Sequence, residues 1–132
     1  MKIMIDTNVL VSAVYNPNST PARAVQDVCK HHELVLCDHI VAECYDVIER
    51  RFSQHMPVMD TLLTTLGYEL VVAPRTGLSM QDPKDSPILN AAILADVDVI
   101  ISGDKHFLKL TLERPKTMTA AQYLESIQTE PE

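Results

Sequence analysis

Ile88 to Ala95 is a nearly unbroken apolar run, and the apolar stretch Val97-Asp98-Val99-Ile100-Ile101 follows it after one charged residue. A helix this apolar needs cover on most of its surface. One that returns directly to an apolar strand forms half of a parallel α/β unit, whose sheet is buried on both faces. Asp85 stands just before the helix, and Asp104 just after the strand. In an open parallel sheet the helix entrance and the strand exit share the carboxyl edge, where ligands bind. The spacing therefore allows these two distant acids to meet.

The rest of the chain repeats the alternation. Lys2 to Ile5 reads as a strand stopped by Asp6-Thr7-Asn8, and Val9 to Val14 as a short helix. Thr20 and Pro21 start a helix to about His31, Leu34 to Cys37 is a strand, and Asp38 caps a helix with Ile40, Val41, Cys44, Val47 and Ile48 inward. Pro57 opens the next helix, Gly67 stops it, and Glu69 to Ala73 is a third strand. Lys116 to Met118 fits an edge strand, and Thr119 caps a last helix. The reading is α/β, a mainly parallel sheet in one domain over 1–128, with 129–132 as a frayed tail.

No apolar run approaches the ~20 residues of a membrane span and no basic-then-apolar leader opens the chain, so a soluble, cytoplasmic protein without membrane partners is expected. The three cysteines, Cys29, Cys37 and Cys44, suit reduced, packed thiols better than disulfides. They and the neighbouring histidines lack the paired short spacings of a zinc site, and His39 and His55 are expected at the surface. A net charge of −7 argues against a broadly basic nucleic-acid surface. Acids gathered around a divalent cation would reverse that locally.

Asp6 leaves the first strand, where an acid can cap a helix or serve a site. Glu43 borders the apolar stripe of its helix, and burying an unpaired carboxylate costs several kcal/mol, so a partner or cation is expected. Ser86 before Pro87 is an adequate helix cap, which leaves Asp85 available; Asp82 reads as a turn residue. Asp6, Asp85 and Asp104 map to one sheet edge, with Glu43 on a helix entered from the same layer. Two unit charges ~4 Å apart repel by about 4 kcal/mol at an effective dielectric near 20. Such a cluster calls for a cation or for protonation, and an all-oxygen set selects Mg²⁺ or Mn²⁺. The commonest use of that arrangement is phosphodiester hydrolysis.

With these acids placed, the chain resembles a PIN domain, in particular the VapC-like toxins of toxin–antitoxin systems. The resemblance rests on Ile5-Asp6-Thr7-Asn8-Val9-Leu10-Val11-Ser12, Pro21-Ala22-Arg23, Val41-Ala42-Glu43, Asp82-Pro83-Lys84-Asp85 with Ala91-Ala92, and Ser102-Gly103-Asp104-Lys105. It implies a three-layer sandwich with a five-stranded sheet in the order 3-2-1-4-5. It also implies that Asp6, Glu43, Asp85 and Asp104 ligate Mg²⁺ or Mn²⁺ for endoribonuclease activity. Asn8 would lie near the metal, Ser102 would hydrogen-bond around the first-strand acid, and Asp82 would be a supporting residue. Lys84 and Lys105 flank the acids and can contact substrate phosphates. The implied partners are RNA, a small antitoxin that enters the acidic groove, and a second copy of the chain.

Three rival readings fit these residues less well. A haloacid-dehalogenase-like phosphatase needs a second acid two residues after the first, where this chain has Asn8. A receiver domain needs an aspartate at a mid-chain strand end, and Arg50 to Asp60 reads as helix and loop. A PIN-like module that binds RNA or protein without cutting would have no use for all four acids.

Overall fold

The computed structural model describes residues 1–74 and 86–129. Asp82, Lys84, Asp85 and the end of the expected tail lie outside them. The element order is β1 (Lys2–Ile5), α1 (Thr7–Tyr15), α2 (Thr20–His31), β2 (Glu33–Cys37), α3 (Asp38–Arg51), a 3₁₀ turn (Ser53–His55), α4 (Met56–Thr65), β3 (Tyr68–Val71), α5 (Ser86–Leu94), β4 (Val99–Ile101), α6 (Lys105–Leu108), β5 (Lys116–Met118) and α7 (Ala120–Thr129).

Among the described residues the strands form one parallel sheet in the order β3-β2-β1-β4-β5, as expected. Ile3, Met4 and Ile5 pair with Val99, Ile100 and Ile101, and these two strands form the centre of the sheet. Parallel crossovers are right-handed, so reversing direction after β3 puts α5 on the opposite face from α1–α4. That reversal makes the carboxyl ends of β1 and β4 the switch point of the sheet.

Both faces are dry at the centre. Ile3, Met4, Ile5, Val35, Leu36, Ile100 and Ile101 are fully buried, and Ile88, Leu89, Ala91 and Ala92 of α5 pack into the same core. The apolar character of α5 follows from that position over Ile88–Ala92, whereas Ile93 and Leu94 are exposed. Edge strand β3 is different, with Leu70 more than half exposed.

Several boundaries differ from the sequence reading. Helix α1 begins at Thr7 rather than Val9, because the Asp6 side chain caps it. Ser19, not Thr20, caps α2 by accepting the Ala22 N–H at 3.2 Å. Asp38 is the first residue of α3 rather than its cap, and its carboxylate accepts the Ala73 N–H at 2.9 Å, tying the exit of β3 to α3. Helix α6 and the 3₁₀ turn are too short to show periodicity. The cysteines are free thiols as expected, but Cys29 is exposed rather than packed. His55 is half-buried against Tyr15 and Phe52 instead of lying free at the surface.

Ile100→Ala should destabilise the protein by about 2–5 kcal/mol, the range for a large side chain truncated in a dry core. Leu70→Ala on the exposed edge should stay within about 0.5 kcal/mol. Urea midpoints at constant slope check both.

Candidate functional site

Asp6 follows the last residue of β1, and its backbone N–H donates to the Ile101 carbonyl at 3.0 Å, continuing the ladder to β4. The side chain is only 5% exposed. Its Oδ1 accepts the Thr7 N–H at 2.7 Å and its Oδ2 accepts the Ser102 hydroxyl at 2.8 Å. One carboxylate thus caps α1 and ties the end of β1 to the residue after β4.

Ser102 is fully buried, with its N–H bonded to the Met118 carbonyl of β5. Its Oγ donates to Asp6 and accepts the Asp104 N–H at 3.0 Å. Asp104 then caps α6, accepting the His106 N–H on Oδ1 at 2.8 Å, with His106 Nδ1 3.1 Å from the same oxygen. A single hydroxyl therefore links the two acids. Burial is the main force pushing the Asp6 carboxyl above the ordinary aspartate range; the bonds from Ser102 and Thr7 oppose it, and the charge of Asp104 adds to it.

Glu43 lies in the second turn of α3 and is partly exposed, with His39 Nε2 3.7 Å away. It reaches the same neighbourhood electrostatically. The Cys44 thiol is pushed up to about 12 by burial first and then by the charges of Asp6 and Glu43. Burial likewise raises Cys37 to about 11. Both thiols stay protonated at neutral pH. The carboxylate oxygens at this edge have the imidazoles of His39 and His106 beside them.

The structure thus brings Asp6 and Asp104 together through Ser102, whose hydroxyl meets the Asp6 carboxylate and the Asp104 main-chain N–H. Asn8 and Lys105 stand exposed at the starts of α1 and α6, one and two elements away on the same edge. Among the described residues no three His, Cys, Asp or Glu side chains assemble as a complete metal-ligand set; Asp85 and Asp82, with Lys84, lie outside those residues.

A sequence model of the family described as PIN domain matches residues 2–106, well over half the chain. The chain belongs to the PIN domain family. This PIN domain is similar to the uncharacterized protein MJ1680 of Methanocaldococcus jannaschii, at 25% identity over 118 residues, covering 83% of this chain and 75% of that protein. Its fold is similar to a structure of VapBC2 from Rickettsia felis bound to a DNA fragment from their promoter (TM-score 0.68, 12% identity, 90% of this chain and 98% of that one). It is also similar to VapC20 of Mycobacterium tuberculosis, a sarcin-ricin loop cleaving toxin (TM-score 0.56, 10% identity, 77% of this chain and 89% of that one). At these identities the two structures bear on the fold of the PIN domain alone.

Two features of this PIN domain's site were not read from the sequence. His106 stands against Asp104, a contact that depends on the unpredicted helix α6. The Thr7 hydroxyl is buried beside Asp6 with no hydrogen-bond partner among the described residues. In the sequence Thr7 is only a turn former; its burial follows from α1 starting two residues early.

The raised pKa of Asp6 fixes the sign of a pH effect. From about pH 4, where an unfolded aspartate titrates, upward through its raised folded value, the native state holds the proton more tightly than the unfolded chain. Stability from this group therefore falls as pH rises across that window. Without added metal, Asp6→Asn should gain stability relative to the unaltered protein between pH 4 and pH 7, read as a growing difference in urea midpoints.

Proposed function

We propose that this PIN domain is a Mg²⁺- or Mn²⁺-dependent endoribonuclease and the toxin of a toxin–antitoxin pair. The observation that carries the reading is the buried Asp6, joined through Ser102 to Asp104 at the switch point of a parallel sheet. A group that costs stability and is held by a fully buried hydroxyl belongs with function better than with folding. The family supports nuclease chemistry, and the structural likeness to a sarcin-ricin loop cleaving toxin supports RNA as the polymer.

The donor chemistry suits a hard divalent cation, while among the described residues Asp6, Glu43 and Asp104 do not by themselves close around one. Their donors are carboxylate oxygens, the nearby thiols are held protonated, and an orphaned hydroxyl at Thr7 marks a polar spot inside the edge. Asp6, Glu43 and Asp104 would hold it, with Asp85, the residue before α5, as the fourth ligand and Asp82 in support. When bound, the cation lowers the pKa of water and neutralises charge on the phosphate.

The chain's own groups do the rest. Glu43 orients the attacking water and takes its proton, a role Asp85 shares. The water oxygen adds to phosphorus while the bond to the 3′ oxygen breaks, and that oxygen takes a proton from solvent, leaving a 5′ phosphate and a 3′ hydroxyl. Ser102 keeps Asp6 ionised and aimed by donating to Oδ2, and Asn8 offers its amide beside it. Lys105, exposed at the start of α6, contacts a neighbouring phosphate, as Lys84 would. A small antitoxin occupying the acidic edge would silence the enzyme, and a second copy of the chain would complete a homodimer. The VapBC2 structure supports the antitoxin part of this reading.

Incubating a mixed RNA pool with Mn²⁺ or with a chelator tests it. Cleavage should require the metal and fall by about a hundredfold or more in Asp6→Asn, the scale for losing a charge-stabilising group, while that variant still melts cooperatively. Mn²⁺ should also raise the melting temperature, and Asp104→Asn should abolish that rise. RNA left intact, with no melting shift, would instead identify a binding module that does not cut.

A further inference from the structure

Beside the acids, the starts of α1, α2 and α7 enclose a cavity of about 270 Å³. It adjoins the carboxylate site, because Gly103, between Ser102 and Asp104, forms part of its wall.

In a chain of net charge −7, none of the residues around this cavity is charged. Val9 and Ala120, both buried, give it apolar walls, and neutral hydrogen-bonding groups surround them. Asn8 and Ser12 are both exposed and stand four residues apart on α1, so they share one helix face. Thr20 and Thr119 are already engaged, accepting from Arg23 at 3.3 Å and from the Gln122 N–H at 3.0 Å. Asn8 and Ser12, with the hydroxyl protons that Thr20 and Thr119 can still donate, are the groups that can read a ligand.

Size and chemistry select the occupant. Ligand sites run from roughly 300 Å³ upward, so a space of about 270 Å³ has room for one small group. A phosphate would need cations and a basic protein side chain would need acids; the lining has neither. An aliphatic side chain would make no use of the Asn8 amide and the Ser12 hydroxyl. A nucleobase has apolar faces for the walls and a hydrogen-bonding edge for the amide and hydroxyl, and only an unpaired base can present both.

We infer that this slot holds one unpaired nucleobase of the RNA, adjacent to the scissile phosphate, and that Asn8 and Ser12 set the base preference of the cut. The inference rests on the nuclease reading above for the word scissile, but the binding it requires does not depend on cleavage.

Nucleoside 5′-monophosphates of the four bases, titrated into ¹⁵N-labelled protein, test the binding directly. They should shift the amides of Ser12, Gly103 and Ala121, with one base preferred. Ser12→Phe and Ala121→Leu, two different ways of filling the slot, should each weaken binding by about tenfold, a loss of ~1.4 kcal/mol, while melting stays cooperative. Base frequencies beside the cuts in a random RNA pool should flatten at one position in both variants. Amide shifts that are absent, or the same in the variants, overturn the slot. So does cleavage with an unchanged base profile, and variants that lose only a protein partner would reassign the cavity to protein docking. Nucleotide binding that is sensitive to Ser12→Phe in a protein that cuts nothing would uphold the slot and sink the nuclease reading alone.

Discussion

The bond from the Ser102 hydroxyl to Asp6 Oδ2 is the contact on which the carboxyl edge depends. It joins the ends of the two central strands where main-chain pairing runs out, and it does so with a charged group almost removed from water. Left alone there, the carboxylate would take up a proton; the Ser102 hydroxyl and the Thr7 N–H lean the other way. The residual upward shift is the mark of a group placed against its own stability. Asp98, at the opposite edge, shows the contrast. The Lys2 N–H and then Arg114 hold its carboxyl below the usual range, as a structural acid should be held.

Topology explains why the acids come from so many parts of the chain. Strands β1, β2 and β4 all end on one edge, and each delivers the residues that follow it: Asp6 after β1, the start of α3 with Glu43 after β2, and Ser102 with Asp104 after β4. Helix α5 touches both α3 and β2, so the chain re-enters the described structure beside the element that carries Glu43. No local motif could assemble such a set. The parallel sheet does it because right-handed crossovers return every strand to the same direction.

Much of this was legible in residue order. The strands were visible as short apolar runs bounded by turn formers, and the apolar run at Ile88–Ala95 forecast a helix covered on most of its surface, with Ile93 and Leu94 left exposed near its end. What escaped was decided by side chains competing for main-chain groups. Asp6 captured the Thr7 N–H and lengthened α1; Asp38 gave its carboxylate to Ala73 instead of its own helix. Asp104 generated α6, a helix of one turn, by capping it, and with it the His106 contact. Each is a choice among equally good local partners that only the folded neighbourhood settles. The neutral slot was invisible for another reason: its lining comes from three helix starts and a glycine, all ordinary where they stand in sequence.

The charge balance also reads differently once it is distributed. A net −7 spread evenly would repel a polyanion at every approach. On the proposed reading a cation would offset the acids that matter, and the adjoining cavity carries no charge at all. A strand of RNA approaching that edge would meet repulsion that a metal cancels at one phosphate, next to a surface indifferent to charge and suited to a base. Affinity would then depend on the cation and selectivity on Asn8 and Ser12. Separating the two would let an acidic protein bind RNA at one place without attracting it everywhere, and metal supply would control binding without altering which base is chosen.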